Sequence, residues 1–140
     1  MNINIVRLLL TSSLLMVLLA ACTPSSHDQE NAMHIDISDN GSTIRLQPGQ
    51  ELIVSLETNP TTGYSWMVLI PGDAEVITQQ GEADYAPSTT DQNIDGAGGT
   101  VTYHFWAGST GSTTLQLGYG RAWETNEPPV QIFEIYIEIQ

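Results

Sequence analysis

The chain has 140 residues, room for one domain but not for two. Three arginines and no lysine stand against sixteen acidic residues, a formal charge of −13, so a phosphate backbone would be repelled and nucleic-acid binding is excluded. A single cysteine rules out an internal disulfide, so the domain must stand on its apolar core.

The N-terminus carries one basic residue, Arg7, before the apolar run "LLLTSSLLMVLLAA". That run is too short for a comfortable membrane span and closes on small residues, the pattern of a secretory signal. The tetrapeptide Leu19-Ala20-Ala21-Cys22 resembles a bacterial lipobox, and the only cysteine falls at the position that would be lipidated. Residues 1–21 are therefore expected to be a lipoprotein signal peptide, and Cys22 the lipidation site. An exported, lipid-anchored protein of the bacterial cell envelope is expected. Thr23 in place of an aspartate implies the outer membrane if the source has two. Cleavage there leaves Arg45 and Arg121 against all sixteen acids, 2 − 16 = −14. Such acidity serves solubility and solvated strand faces and carries no catalytic implication.

Residues 22–32, the cysteine and "TPSSHDQENA", are polar without period and read as a flexible tether. From Met33 to Gln140 the pattern has period two. "MHIDI", "STIRL" and "ELIVSLE" come first, the last with Leu52, Val54 and Leu56 on one face. "SWMVLI" is nearly continuous and reads as a strand buried on both sides. "AEVITQQ" follows, then "TVTYHFWA" with Val101, Tyr103 and Phe105 on one face, then "TTLQLGY". The end, "VQIFEIYIEI", points Phe133, Ile135, Ile137 and Ile139 one way and Glu134 and Glu138 the other. No helical stripe of useful length appears. The expectation is an all-β, immunoglobulin-like antiparallel β-sandwich of seven or eight strands, with Trp66 as its core tryptophan.

The connections are unequal. "PGDA" and "GSTGS" are plain turns. "NPTTGY" (59–64), "YAPSTTDQNIDGAGG" (85–99) and "YGRAWETNEPP" (119–129) are long or compositionally unusual, and they are every second connection. With successive strands antiparallel, those three loops meet at one pole and make a binding surface on a rigid scaffold. In the first, Pro60 fixes its own φ and pushes Asn59 toward an extended form. Thr61 and Thr62 have few rotamers, and Gly63 can close the turn with a positive φ. Such a pre-ordered loop loses little entropy on binding.

Other chemistry is weakly signalled. "DQNIDG", Asp91 to Gly96, begins like a calcium loop, but its twelfth position is Thr102 rather than glutamate and no helices flank it. His27, His34 and His104 lack metal-ligand spacing, and His104 reads as a strand-face residue near Trp106. No Gly-x-Ser-x-Gly elbow appears. No enzyme, metal or cofactor is expected.

"NPTTGYSW", "GAGGT" and "YGRAWE" together resemble the chagasin-like inhibitors of papain-type cysteine proteases, in order and spacing over essentially all of residues 33–140. The first motif is highly specific and the glycine cluster alone is weak. The third departs from the family's Arg-Pro-Trp, with Ala122 between Arg121 and Trp123. The resemblance implies an immunoglobulin-like inhibitor domain with three loops wedged reversibly into the cleft of a papain-family cysteine protease; a monomer is expected. It implies Thr61 near the catalytic cysteine and histidine, with Asn59, Pro60, Thr62, Gly63 and Tyr64 shaping the tip. Gly96, Ala97, Gly98 and Gly99 would lie along one side of the cleft. Trp123 would stack on aromatic residues on the other side, with Arg121 and Ala122 beside it. A surface-anchored adhesion or assembly module using the same loops on a non-protease partner is the alternative.

Overall fold

The computed structural model describes residues 31–89 and 96–140. The expected signal peptide (1–21), Cys22, His27 and most of the tether lie outside the described residues, as do Asp91 to Asp95 of the calcium-like segment.

Among the described residues, nine strands form two sheets. They are β1 (Ala32–Ile35), β2 (Thr43–Leu46), β3 (Glu51–Thr58), β4 (Ser65–Ile70), β5 (Ile77–Gln79), β6 (Asp84–Pro87), β7 (Gly99–Ala107), β8 (Gly111–Gly120) and β9 (Gln131–Ile139). One sheet runs β1-β3-β7-β5, with β6 beside β5 on the same edge of β7. The other runs β2-β9-β8-β4. The all-β sandwich stands. Two of its pairings, β1 with β3 and β2 with β9, are parallel. They arise because the chain switches sheets after Ile35, held in place where Gly41 N–H and Asn40 Oδ1 bond the backbone of Glu134 on β9.

The period-two stripes become the core. Leu52, Val54 and Leu56 stand opposite Phe105, Tyr103 and Val101, while Leu115 and Leu117 stand opposite Ile135 and Phe133. All of these are buried except the partly covered Val101. Burying such side chains stabilises by about 1.5–3 kcal/mol each relative to exposure.

Trp66 is the expected core tryptophan, and it joins the sheets by polar bonds. Its Nε1–H donates to the Glu57 carbonyl on β3 at 2.8 Å, and its own carbonyl accepts from the Tyr103 hydroxyl on β7 at 2.9 Å. These bonds cross the sandwich where a disulfide could have done so.

Two expectations are corrected. β4 is an edge strand, not one covered on both faces: Leu69 and Ile70 are both exposed. On its outer face Leu69 and Met67 lie beside Gly118, Gly120 and Pro129 and line an open groove along the loop before β9. Within the long connection at 85–99, "YAP" is strand, part of β6, with no buried residue.

Candidate functional site

The strand registers fix where the unusual loops lie. Thr58 pairs with Gly99, Pro87 with Gly99, Ser65 with Gly120 and Tyr119 with Gln131. The ends of β3, β6 and β8 and the starts of β4, β7 and β9 therefore share one pole, and all three loops spring from it. The opposite pole holds Ala32 beside Glu51, and Leu46 and Gly111 beside Ile139.

The β3–β4 loop is one turn of 3₁₀ helix, Pro60–Thr62. Thr62 N–H donates to the Asn59 carbonyl and Gly63 N–H to the Pro60 carbonyl, at 3.1 and 2.9 Å. Proline starts the turn with its φ already set, and Gly63 ends it at φ +79°, a left-handed conformation that other residues adopt at a cost.

Asn59 ties this turn to everything around it. Its backbone N–H donates to the Tyr119 hydroxyl at 3.0 Å, and its side-chain Nδ2 donates to the Gly96 carbonyl at 3.1 Å. Its Oδ1 accepts from the Thr61 hydroxyl at 2.6 Å, and its carbonyl accepts from the Thr62 hydroxyl at 2.6 Å. Because Nδ2 must face the Gly96 carbonyl, Oδ1 is left for Thr61, which orients that hydroxyl. Thr61 itself is exposed at the tip. With its proton committed inward, its oxygen offers lone pairs outward.

The β6–β7 loop closes against the first. Ser88 N–H and Oγ both donate to the Gly98 carbonyl, at 2.9 and 2.8 Å. A side chain at Gly98 would stand 2.9 Å from the Thr58 carbonyl. Gly99, expected at the surface, is buried as the first residue of β7, where a side chain would strike the Ala86 carbonyl and the Tyr85 ring. Its missing side chain serves internal packing, which leaves Gly96, Ala97 and Gly98 as the accessible part of the cluster.

The β8–β9 loop flanks the other side. A turn closes from Glu124 N–H to the Arg121 carbonyl at 3.0 Å, followed by one from Glu127 N–H to Glu124. The Arg121 guanidinium lies 4.6 Å from the centre of the Tyr64 ring and donates to Glu124 Oε1 at 3.0 Å. That hydrogen bond pushes its already high pKa higher. Its Nε is buried with no hydrogen-bond partner among the described residues, an orphan offset by the cation–π contact. Trp123 is 66% exposed and rests one edge of its indole over Gly63. Below them Tyr64, Tyr119 and Trp66 form a tilted aromatic series, with centroids 5.6 and 5.1 Å apart, from the pole into the core. Outside the loop an open groove of about 900 Å³ passes Met67, Leu69, Pro129 and Val130.

The structure thus places the three expected loops at one pole, with Gly99 turned to internal packing rather than to the surface. Sequence reading missed Tyr119, whose hydroxyl seats Asn59, and Glu124, which holds Arg121. Tyr119 stands at the start of the third unusual loop, and its pairing with Asn59 depends on a fold-level contact. His104 faces Glu51 and Asp84 on the outer sheet face, away from this pole, and no cluster of three metal-ligating groups occurs among the described residues.

The fold has known counterparts. Chagasin of Trypanosoma cruzi is 28% identical over 103 residues, covering 71% of this chain and 90% of chagasin. The structure of the cysteine protease inhibitor EhICP2 from Entamoeba histolytica superposes with a TM-score of 0.68 at 19% identity, covering 78% of this chain and 96% of that one. PbICP-C, solved in complex with falcipain-2, matches with a TM-score of 0.52 at 18% identity over 79% of this chain and 99% of that one. The model described as "Chagasin family peptidase inhibitor I42" matches residues 45–137, spanning the Asn59 turn, the glycine cluster and the Arg121 loop. With two thirds of its length inside that match, the chain belongs to the chagasin family of peptidase inhibitors and is not an enzyme.

Proposed function

We propose that this chain is a reversible, tight-binding inhibitor of papain-family cysteine proteases, which enters the active-site cleft with its three loops and occludes it. The carrying observation is the Asn59 hub, which joins the β3–β4 tip to the β6–β7 loop and holds the Thr61 hydroxyl at the apex. A hydroxyl whose proton is engaged internally presents an acceptor. It suits a cleft whose nucleophilic thiolate is paired with a protonated imidazole, because that imidazolium is a donor. Gly96 to Gly98 lie on one flank, and Arg121, Ala122 and Trp123 on the other. An exposed indole beside an arginine is common hot-spot chemistry. Loops of this extent match a standard interface of ~800 Å² per partner. No bond to the inhibitor is formed or broken, so the complex dissociates to intact components.

The same proposal puts the chain at the bacterial envelope through a lipid on Cys22, with residues 22–32 as the tether. The lipobox-like Leu19–Cys22 supports this reading.

The test is titration of papain with a fragment from residue 23 to 140. Tight, reversible inhibition that Thr61→Arg or Trp123→Ala strongly weakens is the expected result. Failure to inhibit papain-type enzymes at micromolar concentration overturns the reading and leaves an adhesion or assembly module in its place. Labelled lipid incorporation tests the anchor, and labelling that persists in Cys22→Ser would overturn it.

A further inference from the structure

Ala122 occupies the second position of the Arg121–Glu124 turn, closed by the Glu124 N–H to Arg121 carbonyl bond at 3.0 Å. At that position a proline would preset φ, whereas alanine leaves it free. Trp123 follows, 66% exposed, so burial does little to fix its pose. The turn is instead closed a second time by side chains. Arg121 Nη1 donates to Glu124 Oε1 at 3.0 Å, both side chains being 36% exposed, while the guanidinium carbon lies 4.6 Å from the centre of the Tyr64 ring. Arg121 is thus held from below by the β3–β4 loop and from the side by Glu124. Both arginines of the described domain are paired with glutamates, but the Arg45–Glu138 pair is more open on the arginine side and far from the loops.

We infer that Glu124 is a positioning residue for inhibition. It acts through Arg121, locking the 121–124 turn so that Trp123 is already in its binding pose before the protease arrives. The inference rests on the inhibitor reading. It assigns Glu124 no contact with the protease and gives it the stiffening role that alanine at 122 leaves open. Pre-ordering of this kind improves affinity by lowering the ordering cost at the moment of binding.

The experiment compares the 23–140 fragment with Glu124→Ala, Ala122→Pro and the double variant, measuring papain inhibition, melting temperature, and relaxation of the Trp123 indole N–H by NMR. Glu124→Ala is expected to raise Ki about three- to fivefold, the scale of one partly sheltered ion pair. It is also expected to increase indole motion and to leave the melting temperature unchanged. In the Ala122→Pro background the same substitution should have little effect on either Ki or indole motion, because the ring now supplies the constraint. An equal loss of inhibition in both backgrounds would mean that Glu124 contacts the protease directly and would overturn the inference. Unchanged indole motion in Glu124→Ala would overturn it too, even if papain proved not to be inhibited at all. Absence of inhibition by the parent fragment, by contrast, counts against the inhibitor reading itself.

Discussion

The indole of Trp123 lies over Gly63, so that any side chain at position 63 would run into the ring. The two residues sit on different loops, and each limits the other. Trp123 can stay where it is only because Gly63 has no Cβ, and Gly63 also needs the freedom to hold φ +79°.

Gly63→Ala should therefore do two kinds of harm. A left-handed conformation costs a non-glycine residue about 1–2 kcal/mol, and the indole must move. Inhibition of papain is expected to weaken by about tenfold or more, and the melting temperature to fall by several degrees, since the strain is borne by the folded state. Titration and calorimetry on the same preparation check both.

Asn59 offers a sharper comparison. Asn59→Ala removes the bonds to Gly96 and to the Thr61 hydroxyl, each typically contributing about 0.5–1.5 kcal/mol, and should weaken inhibition by about tenfold. Asn59→Asp keeps an acceptor for Thr61 but sets a carboxylate against the Gly96 carbonyl. It should inhibit no better than the alanine variant. Full inhibition by Asn59→Asp would show that the link to Gly96 has no part in the site.

Phe133 is fully buried where β9 faces the opposite sheet. Phe133→Ala should cost about 3–5 kcal/mol, a large share of the stability of a domain this size. Urea unfolding followed by circular dichroism should show the midpoint fall steeply.

Tyr103 sets an alkaline limit. Burial raises its phenol pKa above the ordinary 10.0, so the folded state holds that proton more tightly than the unfolded chain does. The associated stability is intact below pH 10 and is lost as pH rises through the folded value. Tyr136, raised by its hydrogen bond to the Glu134 carboxylate, acts in the same direction, so the comparison belongs in a Tyr136→Phe background. There, Tyr103→Phe should lower stability at neutral pH by about 1 kcal/mol through the Trp66 carbonyl it orphans, and flatten the decline above pH 10. Thermal melts from pH 8 to 11 provide the measurement.

Much of this was legible in the sequence because the core strands are long and alternate strictly. The stripe Phe133, Ile135, Ile137, Ile139 has one possible buried face, and the three unusual loops fall at alternate connections, which puts them at one pole. β6 was not legible, since Asp84–Pro87 buries nothing and so carries no period-two pattern. It is strand because β7 offers it a free edge. "SWMVLI" misled for the opposite reason: Met67 and Leu69 line an open groove beside the loop before β9 rather than packing under a second layer. The parallel pairings of β1 and β2 follow from a change of sheet that no local pattern records. At the site, "NPTTGY" announced stiffness, but the bonds from Asn59 to Tyr119 and Gly96 span 60 and 37 residues and exist only once the strands are in register.

Ala32, the first residue of β1, pairs with Glu51, while Thr58 at the far end of the same β3 strand meets Gly99 at the loops. About 23 Å of strand separates the two, at ~3.3 Å per residue. Gln140 lies at the same end as Ala32, bonded to Leu46. A handle or sensor surface attached just before Ala32 or just after Gln140 would therefore hold the domain by the end opposite its three loops.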